Sequence, residues 1–443
     1  MTSLSPLLKQ ATPVVVDHAL GSWIYGTDGR EYLDFTTGIG VTSTGHCHPK
    51  VVAAAREQTG KIIHAQYTTV MHRPLLELTD RLGEELPSGL DSVFYANSGS
   101  EAVEAAVRLA RMATGRPNIV VFQGGFHGRT VAAASLTTAG TRFSAGFAPL
   151  MAGVHMSAFP YAYRYGWDED AAVAFALREL DYLLQTRTAP NDTAAFLIEP
   201  ALGDGGYLPT PPAFLEGLRE RATAHGIQLI IDEVQAGVGR TGRFWGHQWS
   251  AAEPDILVTA KGIASGFPIS AIAASTATMS KGWPGSQGGT YGGNAVSAAA
   301  GVATLEVVRE ESLVENALLR GEQLHAGLLR LKDRFPAIGD VRGVGLMQGI
   351  EFSAADGTPD AATAGAVQQA TTEQDLLTLT CGPAGNVVRL IPALVVTAAE
   401  IGLGLRRLEA ALESVAETAP GTGPAFGHDA GSRPGERVAA GAR

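Results

Sequence analysis

Cysteine, charged residues and long apolar runs are all scarce in this 443-residue chain, and each scarcity excludes a class of protein. Two cysteines, Cys47 and Cys381, are too few for a disulfide framework or a four-thiolate zinc site. Charged residues make up 17% of the chain and the net charge is -11, so we expect no nucleic-acid-binding surface. No run of about 20 apolar residues and no signal-peptide pattern is present, which predicts a cytoplasmic protein that does not enter the membrane.

Motifs for nucleotides and metals are missing or out of place. The chain has no GxxxxGK[ST] segment, so the acidic pair Asp232-Glu233 is not expected to hold magnesium in a P-loop site. Residues 237–242 (GVGRTG) match GxGxxG, but no helical pattern follows, which disfavours a dinucleotide site. The HCH segment at 46–48 is too short to surround one ion and no HExxH accompanies it, so no metal site is expected.

The chain is rich in short apolar runs that alternate with helical patterns. Between about residues 61 and 305, runs such as SVFYA, NIVVF and IQLII alternate with amphipathic segments such as SEAVEAAVRLARMA. This alternation predicts a large α/β domain with a mainly parallel sheet flanked by helices. We expect residues 1–60 to join residues 306–418 in a smaller α+β domain. Residues 419–443, rich in Gly, Pro and Ala, read as a disordered tail.

Two polar residues stand where predicted strands end. Asp232 follows IQLII and Lys261 follows DILVTA, and ligands of open parallel sheets bind at the carboxyl ends of strands. Desolvation among apolar neighbours lowers the pKa of a lysine, which makes its amine a usable nucleophile towards an aldehyde. A capping acid and a lysine that reaches out to solvent are the alternatives.

Further candidates suit an anionic, planar ligand. Gly99 and Ser100 begin a predicted helix, where free backbone N–H groups suit a phosphate monoester; an ordinary N-cap is the alternative. In the segment GFHGRT, Phe126 can stack on a flat ring and Arg129 can bind a carboxylate, although both can equally be packing residues. Arg389, among the apolar residues of VVRLIP, requires an anionic partner.

Together, an anion site, an aromatic platform, a strand-end acid and a strand-end lysine fit pyridoxal phosphate. The motifs also resemble those of class III pyridoxal-phosphate aminotransferases of fold type I, and are most similar to the 4-aminobutyrate aminotransferase branch. The resemblance covers about residues 5–416 and implies a seven-stranded large domain with a smaller α+β domain. It rests on NSGSEAVEAAVRLAR, GGFHGRT, IEPALGDGGY, IIDEVQAGVGRTGRF, PDILVTAKGIASGFPISA, GTYGGNAVSAAA, GDVRGVGLMQGIE and VVRLIPAL.

The resemblance implies a role for each matching residue of a cofactor site. Lys261 would carry pyridoxal 5'-phosphate as a Schiff base and shuttle a proton, Asp232 would pair with the pyridine nitrogen, and Gln235 would bond the phenolic oxygen. The other implied cofactor contacts are Gly99, Ser100, Phe126, His127, Val234 and, across a dimer interface, Thr290.

The resemblance also implies a substrate site with two arginines. Arg129 would bind the distal carboxylate of an ω-amino acid, and Arg389 the α-carboxylate of glutamate. Asp204 stands where the family carries a glutamate that covers the second arginine; because Asp204 is one methylene shorter, it is not expected to reach Arg389. Ile39 matches the aliphatic residue of the 4-aminobutyrate branch, and Glu199, which begins the EPALGD segment that contains Asp204, is also placed at the substrate site.

The implied reaction is a ping-pong transfer of the amino group of an ω-amino acid such as 4-aminobutyrate to 2-oxoglutarate, which yields a semialdehyde and glutamate. A homodimer with shared active sites is implied, and a tetramer of two dimers stays open. Two alternatives remain: an amino-acid racemase or epimerase with Lys261 and Asp204 as two bases, and an acetylornithine/ornithine-type or broad amine:pyruvate aminotransferase. The presence of both arginines favours transamination, because two arginines call for two carboxylates.

Overall fold

The structure is a computed structural model and describes residues 3–418. The tail predicted at 419–443 lies outside the described residues. Within residues 3–418, no helix combines the length and the apolar character needed to cross a bilayer.

Strands and helices alternate along most of the chain. The strands are β1 (Val16–Leu20), β2 (Trp23–Gly26), β3 (Glu31–Asp34), β4 (Ser92–Ala96), β5 (Asn118–Phe122), β6 (Val154–Ser157), β7 (Thr193–Ile198), β8 (Ala201–Leu202), β9 (Leu208–Pro209), β10 (Gln228–Asp232), β11 (Ile256–Thr259), β12 (Ser270–Ala274), β13 (Ile338–Val344), β14 (Met347–Phe352), β15 (Leu376–Leu377), β16 (Leu379–Cys381) and β17 (Val387–Leu390). The helices are α1 (Thr37–Gly40), α2 (Pro49–Thr59), α3 (Arg73–Gly83), α4 (Gly99–Thr114), α5 (Val131–Leu136), α6 (Ala162–Tyr165), α7 (Glu169–Thr186), α8 (Pro212–His225), α9 (Thr276–Met279), α10 (Ala295–Glu310), α11 (Leu313–Arg334), α12 (Ala361–Glu373) and α13 (Ala398–Thr418). Short 3₁₀ turns lie at Thr141–Phe143, Pro190–Asp192, Gly246–Trp249 and Lys261–Ala264.

A seven-stranded sheet confirms the predicted α/β class. Its order is β4-β12-β11-β10-β7-β5-β6, and β12 runs antiparallel to both of its neighbours while the remaining pairs are parallel. Strands β7 and β11 are buried along their whole length, as strands covered on both faces must be. Helix α4 packs an alanine-rich face on one side of the sheet, and α7 and α8 cover the other.

Strands from the two ends of the chain share a sheet outside this core. Strand β3 pairs in parallel with β15, with Leu33 opposite Leu376, in a sheet of order β1-β2-β3-β15. A further sheet of order β13-β14-β17-β16 carries Arg389 on β17, and α12 packs against α13. Helix α10 continues past residue 305, where the sequence predicts that the large domain ends. The predicted limits of the two domains therefore stay predictions.

The GVGRTG segment at 237–242 forms tight turns after β10. Gly239 and Gly242 have φ values of 86° and 81°, and the next element is only the 3₁₀ turn Gly246–Trp249. A dinucleotide-binding turn requires a helix that begins at its glycines, and the described chain has none at this point.

Candidate active site

A cavity of about 400 Å³ opens beside the carboxyl ends of the parallel strands. Its walls come from the start of α4, the loop after β5, the loop after β10 and the turn after β11. The predicted site residues that line it are Gly99, Ser100, Phe126, His127, Arg129, Glu199, Asp204, Asp232, Val234, Gln235 and Lys261. Residues separated by up to 162 positions in sequence, from Gly99 to Lys261, therefore meet around one space.

Three predicted residues do not line the cavity. Arg389 lies behind Asp204 and contacts it directly. Ile39 is 44% exposed, and its φ of 69° places it in a left-handed turn. Thr290 is also exposed, so its expected role across a subunit interface stays a prediction.

Lys261 stands two residues beyond the end of β11. Its φ of 46° lies in the left-handed region, so the chain turns sharply at this residue. Burial lowers the pKa of the Lys261 ammonium because it removes water from the charge, and the carboxylates of Asp204 and Glu199 partly oppose this shift. A lysine with a lowered pKa can act as a nucleophile and as a proton acceptor near neutral pH.

The carboxylate of Asp232 is fixed at the end of β10. Its Oδ2 atom lies 2.8 Å from Nδ1 of His127, and its Oδ1 accepts the backbone N–H of Val234 at 3.1 Å. The backbone N–H of His127 donates to Oγ1 of Thr137 at 2.9 Å, which holds the histidine in turn. Both members of the His127–Asp232 pair are buried, so the acid is presented to the cavity in one orientation.

The N-terminus of α4, where the sequence predicts an anion site, lies in the cavity wall. Ser98 is the N-cap and its side chain accepts the backbone N–H of Glu101, while Oγ of Ser100 accepts the backbone N–H of Arg129 at 3.1 Å. A Cβ atom on Gly99 would lie 3.0 Å from Val234, so a larger residue there would crowd the wall. Free N–H groups and the helix dipole favour a phosphate at this point.

Phe126 and Arg129 form an aromatic and cationic edge of the cavity. The Phe126 ring packs edge-to-face on Phe143, with centroids 5.0 Å apart. The Arg129 guanidinium lies 4.7 Å from the centroid of Phe143 and 5.9 Å from that of Phe126. Arg129 itself is exposed, so its donors are accessible to a substrate carboxylate.

Asp204 does reach Arg389, contrary to the expectation from its length. Oδ1 of Asp204 lies 3.3 Å from Nη1 of Arg389, and the backbone oxygen of Asp204 accepts the N–H of Gly382 at 2.9 Å. This second contact ties the Asp204 backbone to the residue that follows β16, in the sheet that carries Arg389. Within residues 3–418, Nε of Arg389 has no hydrogen-bond partner, so the pair does not satisfy the whole guanidinium.

Glu199 is a buried acid beside the same cavity. Burial raises the pKa of Glu199 to about 7; the nearby Asp232 charge adds to this shift and His127 opposes it. Gln235 is also buried, and within the described chain its Oε1 has no partner. A Cβ on Gly203 would lie 2.6 Å from that oxygen, so the glutamine amide is closely confined.

The sequence does not identify several apolar residues of the cavity wall, among them Val41, Phe267, Pro268 and Ile269. Apolar side chains at a site have the same pattern as core residues, and only their position beside the GIGV and AKGIASG segments could have marked them.

The two histidines of the HCH segment contact different carboxylates. His46 bonds Asp34 at 2.8 Å, and His48 bonds Glu311 at 3.0 Å.

The donor set of the cavity suits one kind of ligand. A lysine of lowered pKa, an oriented carboxylate, a confined glutamine amide and a helix N-terminus fit a flat aldehyde that carries a phosphate and a basic ring nitrogen. The apolar residues Phe126 and Val234 can pack on the two sides of such a ring.

Comparison with known proteins extends this assignment. A family model described as aminotransferase class-III matches residues 7–412. A 5-aminovalerate aminotransferase of Pseudomonas putida is 39% identical over 92% of this chain and 95% of its own, and a 4-aminobutyrate aminotransferase of Escherichia coli is 38% identical over 89% and 92%. An amine transaminase from an uncultivated Pseudomonas species, solved in a pyridoxal-phosphate-bound form, superposes with a TM-score of 0.87 at 29% identity, covering 94% of this chain and 99% of its own.

The comparison also includes an enzyme with a different reaction. An alanine/serine racemase of Pyrococcus horikoshii is 34% identical over 90% of this chain and 86% of its own. Overall similarity alone therefore does not distinguish an aminotransferase from a racemase, and the distinction has to come from the residues of the site.

Proposed function

Because the chain belongs to the class-III aminotransferase family, we propose that it transfers the amino group of an ω-amino acid, such as 5-aminovalerate or 4-aminobutyrate, to 2-oxoglutarate. The products are a semialdehyde and glutamate, formed in two half-reactions. The single observation that carries this proposal is the arrangement of Lys261, Asp232, Arg129 and Asp204 around one cavity, with Arg389 paired to Asp204 behind the cavity wall.

Pyridoxal phosphate is the cofactor of this family, and when bound it supplies an aldehyde that condenses with amines and a ring that accepts electrons. The N–H groups of Gly99 and Ser100 would hold its phosphate, and Asp232 would hold its ring nitrogen in the protonated form. Phe126 and Val234 would enclose the ring, and Gln235 would donate its amide to the phenolic oxygen. His127 would keep the Asp232 carboxylate in place through the 2.8 Å contact.

Lys261 is the proton carrier. Its lowered pKa lets the free amine take a proton from the amine-bearing carbon of the donor and return a proton to the carbonyl carbon of the acceptor in the second half-reaction. Its place in a buried turn after β11 keeps the amine oriented and limits competing water.

The two arginines account for donors and acceptors of different shape. An ω-amino acid has one carboxylate, far from its amine, which Arg129 would bind at the cavity edge. Glutamate and 2-oxoglutarate have a second carboxylate beside the reacting carbon, which would displace Asp204 and pair with Arg389. Asp204 covers the arginine when the donor lacks that group, because an unpaired buried guanidinium is costly.

The racemase alternative is weaker for a geometric reason. A second catalytic base needs a free carboxylate, whereas Asp204 is engaged with Arg389 at 3.3 Å.

We propose in addition that the enzyme is a homodimer. Trp283 and Tyr291, 68% and 64% exposed, flank Thr290, and large exposed aromatic residues of this kind are typical of protein interfaces.

A panel of amine donors tests the proposed function. The holoenzyme is incubated with 5-aminovalerate, 4-aminobutyrate, β-alanine, ornithine or acetylornithine, each with 2-oxoglutarate or pyruvate, and glutamate or alanine is measured. Glutamate formed fastest from the first two donors supports the proposal. Alanine from pyruvate as the main product indicates the amine:pyruvate alternative, and loss of optical rotation of an L-amino acid without any oxo acid indicates the racemase.

A further inference from the structure

Two loops carry residues proposed to act in carboxylate binding: Arg129 for the distal carboxylate, and Asp204 as the group that an α-carboxylate displaces from Arg389. The arginine loop, residues 124–130, carries Arg129, and the aspartate loop, residues 203–207, carries Asp204. The loops meet backbone to backbone, since a Cβ on Gly205 would collide with the carbonyl group of Gly124. Their relative position therefore depends on close backbone contact with no side chain between them.

Glu199 joins the two loops. It follows β7 directly and is 5% exposed. Its Oε1 accepts the backbone N–H of Phe126, in the arginine loop, at 2.8 Å. Its Oε2 accepts the backbone N–H of Gly203, in the aspartate loop, at 3.0 Å. Each oxygen thus holds one loop, and both are anchored to the end of a fully buried central strand.

We propose that Glu199 fixes the separation between the loop that carries Arg129 and the loop that carries Asp204, and so sets the length of amino donor that the site accepts. The inference rests on the proposed function, because it takes Arg129 as the partner of the distal carboxylate and Asp204 as the residue that covers Arg389. Glu199 is a positioning residue: both of its oxygens are used by backbone donors, so it acts through the loops.

The sequence distances support this role. Gly203 immediately precedes Asp204, so release of its N–H moves the residue that covers Arg389. Phe126 is three positions before Arg129, and its N–H fixes the start of the turn that carries the guanidinium. A small change in either loop alters the distance between the distal carboxylate and the reacting carbon, to which catalysis is steeply sensitive.

The matched control is a second buried glutamate that also accepts two backbone N–H groups, and whose Oε1 in addition lies 2.8 Å from Nδ1 of His247. Oε2 of Glu233 accepts the backbone N–H of Gly246 at 2.8 Å, and its Oε1 accepts that of His247 at 2.8 Å. Glu233 does not line the cavity and touches neither loop through these bonds. Glu233→Gln therefore removes a comparable buried carboxylate without acting on the donor site.

The experiment compares Glu199→Gln, Glu199→Asp and Glu233→Gln holoenzymes at pH 8, where the carboxylate is ionised. For each, kcat and KM are measured for 5-aminovalerate, 4-aminobutyrate and L-glutamate, and the binding of glutarate and succinate is measured by calorimetry. Glutamine has the size of glutamate, but its amide NH2 group cannot accept a hydrogen bond from the backbone N–H that it faces. Aspartate is too short to reach both backbone N–H groups. Should the amide variant not fold, the aspartate variant tests the same point.

We expect the Glu199 variants to change the ratio of kcat/KM between 5-aminovalerate and 4-aminobutyrate about tenfold, the effect of one lost hydrogen bond to a charged group. The glutarate-to-succinate affinity ratio should shift in parallel, and Glu233→Gln should lower the unfolding temperature while leaving both ratios unchanged. Unchanged ratios in the Glu199 variants, with an active wild type, overturn this inference alone. A wild type that transfers no amino group from any ω-amino acid overturns the proposed function instead.

Discussion

Asp204 and Arg389 form an ion pair, with Oδ1 of the aspartate 3.3 Å from Nη1 of the arginine, although they stand 185 positions apart in the chain. Arg389 is buried and its Nε has no partner within the described residues. A single aspartate oxygen therefore covers a guanidinium that can bind a carboxylate through two nitrogens, so an incoming α-carboxylate can replace Asp204 with a net gain in hydrogen bonds.

We expect Asp204→Asn to favour donors that carry an α-carboxylate. Loss of the covering charge should lower KM for L-glutamate about threefold to tenfold and reduce kcat/KM for 4-aminobutyrate, because the buried arginine then stays unpaired with that donor. Steady-state kinetics with both donors measure the change, and Asp356→Asn, on an exposed turn, is the control. A uniform loss with both donors, together with loss of a racemase activity present in the wild type, would instead identify Asp204 as a catalytic base.

Replacement of Lys261 by alanine should abolish amino transfer, by at least about 10³-fold, since the residue is proposed to carry both the covalent attachment and the proton transfer. Borohydride reduction of the wild-type holoenzyme should attach the cofactor to the tryptic peptide that contains Lys261, and mass spectrometry detects the adduct. Lys281→Ala, at an exposed position, should retain both activity and adduct. An adduct on any other lysine would refute the assignment.

Arg129→Met should raise KM for 5-aminovalerate about tenfold or more, because the distal carboxylate loses its charged partner. Arg142 provides a close control: its guanidinium lies 4.5 Å from the centroid of the same Phe143 ring, yet it does not line the cavity. Arg142→Met should leave KM for the ω-amino donor within about twofold of the wild type. Equal effects of the two changes would show that the Phe143 packing, and no specific carboxylate contact, accounts for the loss.

Glu199 should make stability depend on pH in a defined direction. Burial raises its pKa from 4.5 in the unfolded chain to about 7 in the folded protein, so the folded state holds this proton more tightly. The contribution of the protonated Glu199 to the free energy of unfolding is complete below about pH 4.5 and is lost as the pH rises to about 7. The unfolding temperature of the wild type relative to Glu199→Gln, measured by calorimetry, should therefore fall between pH 5 and pH 8. A difference that rises with pH would contradict the buried environment of this acid.

Thr290→Val should weaken cofactor binding in the assembled enzyme if Thr290 acts across a dimer interface. We expect several-fold loss of pyridoxal-phosphate affinity, by equilibrium dialysis, with an unchanged sedimentation coefficient that corresponds to a dimer. Thr276→Val, which alters a hydroxyl at the start of α9 away from the cavity, is the control. A monomer by sedimentation that binds the cofactor with full affinity would refute the shared site.

Residues at strand ends were the most predictable part of the site. The runs that precede Asp232 and Lys261 are apolar and short, and parallel strands place their carboxyl ends at one edge of the sheet, so sequence order and sheet geometry suffice to bring these two residues together. The start of α4 was predictable for a related reason, because NSGSE carries its own capping pattern.

The reach of Asp204 was predicted wrongly from side-chain length alone. The length of a residue limits its reach only when the backbone position is known, and here the Asp204 backbone is bonded to Gly382, next to β16 in the sheet that carries Arg389. The apolar wall at Phe267 and Ile269 was also missed, because burial against a ligand and burial in a core leave the same residue types in the sequence.

The sequence by itself determined which candidate groups the site has: a strand-end lysine, a strand-end acid, two arginines and a helix start rich in glycine and serine. Only the tertiary structure decided which of those groups touch. That Glu199 holds two loops, that Asp204 covers Arg389 and that Ile39 stays outside the cavity are matters of ångströms between residues far apart in the chain. Such distances arise from the packing of whole elements against one another, and no local pattern of residues encodes them.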